Sequence, residues 1–570
     1  MVQSRICLLL LCYQLLDVVD AQGNFTSSTP SVPAASDFIR RSWHSSIVVG
    51  NFLYIDGGDL WQMVDGIMLW GPNTKTLSID LTKSWTNTTV EMNPINKTIE
   101  SWDEAYLWPD SSRSSFYQWG GSISTRKVPP IVAASSLCKF EPDNRGGGEW
   151  TELGHASNSI FRDLRRSVRG ATASRDDIWY MVGGATHCSS DRSISECSTF
   201  TSLGPIISYN STSNLWTNDS AQDFTGSETA IFSAMHNVPF GSSVGLNVIF
   251  GGGTTFSGRT SDTYYPTNLL DFQHIYIYDP ITKTFHSQTA TGPRPSPRIQ
   301  FCSVGTPGDN GSYEIFVFGG YEQLNITSNE VYVLSLPAFV WFKADHTATS
   351  PRRAHECNIV GQGGSQMAVI GGIDISFPTG TTRNSPDPWT NGINVFDLSA
   401  MRWKDTYDPN NPPYQSPSVV RDWYTKNGSS PLWDSPAVER LFLEAVTPTT
   451  TPVPPSGLNQ SEIGTPPSDG KPNVGAIAGG VVGGVTVLAV IAFVMHYIFK
   501  KQRTDSESND YRKPELEASV SNYTTESAHQ GRTVREQQHP QSTLLELPQS
   551  ALLELPPADD RYEADSGNAR

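Results

Sequence analysis

Short apolar runs recur through the first three-quarters of the chain, and six of them end on Gly-Gly. They are FLYIDGG ending at Gly58, SFYQWGG at Gly121, IWYMVGG at Gly184, NVIFGG at Gly252, IFVFGG at Gly320 and MAVIGG at Gly372. Successive pairs lie 63, 63, 68, 68 and 52 residues apart. Runs of this length rich in Ile, Val, Phe and Tyr predict strands, and recurrence at a near-constant period predicts a repeat architecture. A second strand and a turn follow each pair. Asp80 precedes Trp85, Asn210 precedes Trp216, Asp279 precedes Phe285, Ser335 precedes Trp341 and Asp397 precedes Trp403. The pattern predicts a hairpin in which the Asp, Asn or Ser side chain caps the turn and the aromatic opens the outgoing strand. The second repeat departs from it, with Glu141 and Trp150 nine apart around Gly146–Gly148.

A third element stands before some of the Gly-Gly strands: Arg41 with His44, Pro297-Arg298, and Pro351-Arg352 with His355. With it the chain resembles the kelch repeat over residues 38–410, most fully in the last two repeats. The resemblance implies an all-β fold: a six-bladed kelch-type β-propeller of four-stranded blades around a central channel. A seventh blade from residues 404–445 and the N-terminal segment stays open. The repeats are longer than the ~50 residues usual for kelch. The surplus is expected in loops such as Glu91–Asp110, Asp191–Leu203 and Thr254–Leu270, and long loops on one rim are where binding is expected.

Two further apolar runs have no strand period. Ile6–Leu16 is eleven residues behind a basic start, with Val19 and Ala21 placed for a cut before Gln22. This predicts a signal peptide over 1–21. Val474–Phe499 has 26 residues and no Asp, Glu, Lys or Arg, and Lys500, Lys501 and Arg503 follow. As a helix it would extend ~39 Å, enough to cross a bilayer with the C-terminus in the cytosol. Gly475, Gly479 and Gly483, beside Ala476, Gly480 and Gly484, offer two small-residue columns for homodimerisation of that helix. The expected organisation is a signal peptide (1–21), an N-terminal segment (22–37), a propeller ectodomain (38–445), a Thr/Pro/Ser-rich stalk (446–473), a transmembrane helix (474–499) and a disordered cytosolic tail (500–570). Within the tail LLELP occurs at Leu544–Pro548 and Leu552–Pro556, a candidate docking motif for a cytosolic adaptor. The layout is similar to that of single-pass kelch-repeat membrane proteins of filamentous fungi. It implies a type I plasma-membrane protein with its N-terminus outside.

Charge and chemistry refine this picture. The net charge of −17 argues against nucleic acid as a partner. Outside the membrane, Asn24, Asn87, Asn96, Asn210, Asn218, Asn310, Asn325, Asn427 and Asn459 head N-glycosylation sequons. Five Cys remain after signal removal. Cys188 and Cys197, across a polar loop, form the expected disulfide. Cys138, Cys302 and Cys357 sit in apolar, strand-like stretches where buried free thiols are the simpler expectation, although the fate of all three is open. No CxxC, HExxH or P-loop pattern occurs, and no catalytic residue, metal ligand or cofactor is expected. The expected function is binding of an extracellular glycan or protein, as receptor, sensor or tether. The alternative is a membrane-anchored copper-radical oxidase resembling galactose and glyoxal oxidases. Those carry an adjacent Tyr-His pair, whereas none of the 20 Tyr here is followed by His.

Overall fold

A computed structural model of the chain describes residues 29–443, apart from 125–135, 155–157, 196, 198–199, 205, 221–223, 225–228, 255–267, 323–325, 346–349 and 376–384. The expected signal peptide, stalk, membrane span and tail lie outside these residues, as do Asn24, Asn325 and Asn459. Among the described residues no helix is long and apolar enough to cross a membrane.

The repeat folds into six four-stranded antiparallel sheets, each with its strands in sequence order. Their first strands are Ser45–Val49, Asp103–Pro109, Ala171–Arg175, Ala234–Val238, Cys302–Pro307 and Glu356–Val360. Each first strand touches those of the sheets before and after it, and the sixth touches the first. The second strands are the apolar runs identified above: Phe52–Asp56, Phe116–Ser122, Ile178–Val182, Leu246–Phe250, Tyr313–Phe318 and Gln366–Ile370. They are almost wholly buried because each sheet is covered on both faces by its neighbours.

The core is therefore a set of apolar clusters between sheets. Tyr54, Phe116, Phe140 and Trp150 fill the space between the first two sheets. Trp108, Trp119, Trp179 and Trp216 lie between the second and third, where Trp108 stacks on Trp179 at 4.4 Å. Tyr180 and Ile249, then Val248 and Trp341, then Phe318 and Phe396 join the next pairs. Leu53, Ile55, Ile370 and Val395 pack the sixth sheet against the first. This arrangement is consistent with a β-propeller.

Gly-Gly makes the same joint six times. The N–H of Gly58, Gly121, Gly184, Gly252 and Gly320 donates to the carbonyl of Trp102, Ser167, Ala230, Arg298 and Arg352 in the following sheet. The N–H of Gly372 donates back to Arg41 in the first, and all six bonds lie between 2.6 and 3.3 Å. At Gly371 the backbone has φ 65°, and a Cβ would lie 2.6 Å from Cε1 of His44. Only glycine allows both that conformation and that approach.

Several expected details change. Glu91–Asp110 is not a loop: it holds Asn93–Asn96, the fourth strand of the first sheet, and Asp103–Pro109. Only Ile95 of the outer strand is buried, too little to register as a hydrophobic pattern. Trp85 does not open that strand. It stacks on Tyr407 at 5.0 Å, and the Tyr407 hydroxyl donates to the Leu81 carbonyl at 2.8 Å. Asp80, Asn210, Asp279 and Asp397 each accept a backbone N–H of their turn. Ser335 instead meets Glu314 and the Tyr424 hydroxyl, because the buried Glu314 carboxyl gathers hydroxyl donors. Residues 404–443 add no four-stranded sheet. They contain a short strand, Thr406–Tyr407, and two helices, α1 (Ser418–Asn427) and α2 (Pro436–Leu443).

Candidate functional site

In an antiparallel sheet the second strand ends beside the start of the first. The six Gly-Gly pairs therefore share one end of the molecule with the starts of the inner strands. The links between second and third strands open at that end, and they carry most of the surplus length: 59–74, 123–137, 185–205, 253–273, 321–330 and 373–392. The first of these is a hairpin, Asp59–Val64 paired with Ile67–Pro72. Its tip residue Ile67 is 50% exposed.

Residues 404–443 run over the opposite end. Gln366 donates to the Asp408 carbonyl at 2.7 Å, the N–H of Asp309 donates to Ser416 Oγ at 2.9 Å, and Phe442 packs on Phe240 and Phe339 at 5.0 Å. The chain thus crosses the turns of the sixth, fifth and fourth sheets, and its last described residue, Leu443, lies on that covered end.

At the open end six non-glycine residues surround the axis, Glu104 at the start of its inner strand and Trp43, Arg169, Phe232, Gln300 and Ala354 just before theirs. All have φ between 53° and 64°. Such conformations are uncommon outside glycine, and each costs about 1–2 kcal/mol. Hydrogen bonds from sheet to sheet hold them. The N–H of Glu104 donates to the Trp43 carbonyl, Phe232 to Arg169, Ala354 to Gln300 and Trp43 to Ala354, at 2.6–3.2 Å. The sheet register therefore imposes the conformation, and side chains of unrelated chemistry are presented at equivalent positions.

The ring encloses a cavity of about 250 Å³ whose wall also includes Ser46, Thr172, Ser233, Phe301, His355 and Glu356. A second cavity of about 330 Å³ shares Thr172, Ser233, Phe301, His355 and Glu356 with it and adds His236, Ser303, Cys302 and Cys357. Arg169 pairs with Glu104 at 3.1 Å and lies over the Phe232 ring at 4.8 Å. Burial pushes the Glu356 carboxyl up to about 8, with a smaller contribution from the charge of Glu104. Burial holds His44 down at about 3 and His355 well below its usual value, so both are neutral. His236 is held down to about 4 and meets Ser303 Oγ at 2.8 Å.

The residues singled out from sequence are scattered. Arg298 and Arg352 are buried structural cations, the former on Glu322 at 2.8 Å and the latter on Asp387 at 3.0 Å, with Arg352 also 3.4 Å above the Trp389 ring. Cys188 and Cys197 are joined, in the long link of the third sheet. The simpler expectation for Cys302 and Cys357 changes: they too are joined, across the first strands of the fifth and sixth sheets, while Cys138 is a buried thiol pushed up to about 12 by desolvation. Among the described residues, Cys302, His355 and Cys357 form the one grouping of three metal-type side chains, and its two sulfurs are bonded to each other. Asn96, Asn218 and Asn427 are exposed, Asn87 and Asn210 are half-buried, and Asn310 lies in the Asp309–Gly311 turn.

Sequence reasoning missed the axial ring, because its residue types do not repeat. A positional signal existed: Trp43 and Ala354 each immediately precede a repeat histidine, His44 and His355.

The fold and its axial cavity define a β-propeller protein. Comparison with known sequences agrees: residues 240–424 match the KLHDC2/KLHL20/DRC7 Kelch-repeats domain. The chain is also similar to a "Kelch repeat-containing protein" of Arthroderma benhamiae, with 26% identity over 538 residues, covering 82% of this chain and 76% of the relative. Both matches support a kelch-repeat family.

Proposed function

We propose that this chain is a single-pass type I surface protein whose six-bladed kelch propeller binds a protein partner at the long-link rim. One observation carries the reading: the links between second and third strands leave from the end where the axial ring lies, while residues 404–443 run over the other. Six inter-sheet joints and six packed interfaces support the blade count. The kelch repeat supports protein binding. The signal peptide, the apolar run 474–499 and the basic residues after it support the surface placement. The protein's role would be that of a receptor, sensor or tether. No observation favours the copper-oxidase alternative.

Glycan wedges test the binding face. A sequon at the hairpin tip (Ile67→Asn with Leu69→Thr) is expected to abolish partner capture by intact cells. One on the opposite end (Ile281→Asn with Lys283→Thr), where Ile281 is 63% exposed, is expected to leave capture unchanged. The reverse result would refute the assignment of the rim. Protease accessibility of epitope tags at the two termini tests the topology, and a C-terminal tag cleaved on intact cells would contradict it.

A further inference from the structure

Glu356 stands apart from the other charged groups of the axial cavity. Glu104 has Arg169, whereas the carboxyl of Glu356 has no hydrogen-bond or ion-pair partner among the described residues, and it lines both cavities. The groups facing this space are Glu104 of the second sheet, Arg169 before the third, His236 of the fourth, and His44 and His355 before the first and sixth. The three histidines are neutral, and Cys302 and Cys357 are bonded to each other. With Glu104 and Arg169 cancelling, the wall lacks one positive charge whenever Glu356 ionises. Trp43, Phe232 and Phe301 supply ring surface beside it, which favours a cation and its aliphatic stem.

We infer that the axial cavity takes one primary ammonium group, supplied as a lysine side chain of a protein partner, with Glu356 as its counter-ion. This rests on the reading of the rim as a protein-binding face. A lysine side chain is narrow enough to enter along the axis while the links hold the rest of the partner. An anion would find Arg169 already paired with Glu104. A neutral ligand would leave Glu356 as it is in the empty cavity, protonated near neutral pH.

Binding then carries a proton signature. Below about pH 8 the empty site holds Glu356 as the acid, so seating the ammonium releases that proton to solvent. Affinity rises about tenfold from pH 6 to 7, about fivefold from 7 to 8, and levels off above.

The test uses the full-length protein and Nα-acetyl-lysine methylamide, titrated by calorimetry in two buffers of different ionisation enthalpy. The expected result is release of close to one proton at pH 6.5, about fiftyfold tighter binding at pH 8 than at pH 6, and no binding of the Nε-acetylated probe. Glu356→Gln should remove the pH slope and weaken binding at pH 8 at least tenfold. The wild-type slope and proton count stand even if that variant folds poorly. Equal binding of the Nε-acetylated probe, a flat pH profile, or tighter binding of glucosamine than of the lysine probe overturns the inference. If the probe fails while the Ile67 wedge still abolishes capture, the ammonium site is wrong and the rim stands. If the wedge is harmless, the rim reading itself fails.

Discussion

Replacing Gly371 by alanine tests the joint that returns the sixth sheet to the first. The residue has φ 65°, and a Cβ there would press on the Arg41 carbonyl oxygen and lie 2.6 Å from His44 Cε1. The matched control is Gly50, with φ 58° and nothing within 4 Å of a Cβ. Both substitutions incur the left-handed backbone cost of about 1–2 kcal/mol. At Gly371 the Arg41 carbonyl must also move. That disturbs its 2.6 Å bond from the Gly372 N–H, and the two buried groups then cost about 1–3 kcal/mol. The expected destabilisation is about 2–5 kcal/mol for Gly371→Ala against about 1–2 for Gly50→Ala. For roughly 360 described residues the unfolding entropy is roughly 0.8 kcal/mol/K, so the melting temperature should fall by about 2–6 °C against about 1–2 °C. Differential scanning fluorimetry, checked by urea unfolding, measures both. Equal losses for the two variants would show that no tight sixth-to-first contact exists.

Other outcomes follow from buried charge. Asp56 and Lys97 pair at 2.5 Å with side chains 0% and 1% exposed, and Asp56 also accepts from Thr76 and Gln118. Lys97→Met should cost about 3–5 kcal/mol by leaving that carboxylate without its cation, and Asp56→Asn added to it should recover much of the loss in urea melts. The depressed His44 has the opposite pH sign from Glu356. Its contribution is full above the unfolded value of 6.5 and is lost as pH falls towards about 3, so His44→Gln should flatten the acid limb of stability between those values. Glu356, raised to about 8, contributes below its unfolded value of 4.5 and loses that contribution as pH rises through 8. Glu356→Gln should therefore be relatively more stable than wild type at pH 8.5 than at pH 5 in urea melts.

The fold was legible wherever a residue does the same job in each repeat. Gly-Gly recurs because every inter-sheet joint needs it, and the turn-capping Asp or Asn recurs because most outer hairpins need a cap. Elements built once were hidden. The edge strand Asn93–Asn96 buries one side chain, and the Trp85–Tyr407 contact joins residues more than 300 apart. Cys302 and Cys357 read as separate apolar strands because their pairing depends on two inner strands meeting at the axis. The candidate site was less legible still. Its six positions repeat in backbone conformation while their side chains do not, and function is expected to draw on that variation.

Photo-crosslinking from one position at each end of the propeller weighs the account as a whole. A photoreactive residue at Ile67 on intact cells should give a discrete adduct with the partner, lost when Trp43 and Glu356 are both replaced by alanine. The same residue at Ile281 should give none. An adduct from Ile281 alone would place binding on the end covered by residues 404–443 and contradict the account.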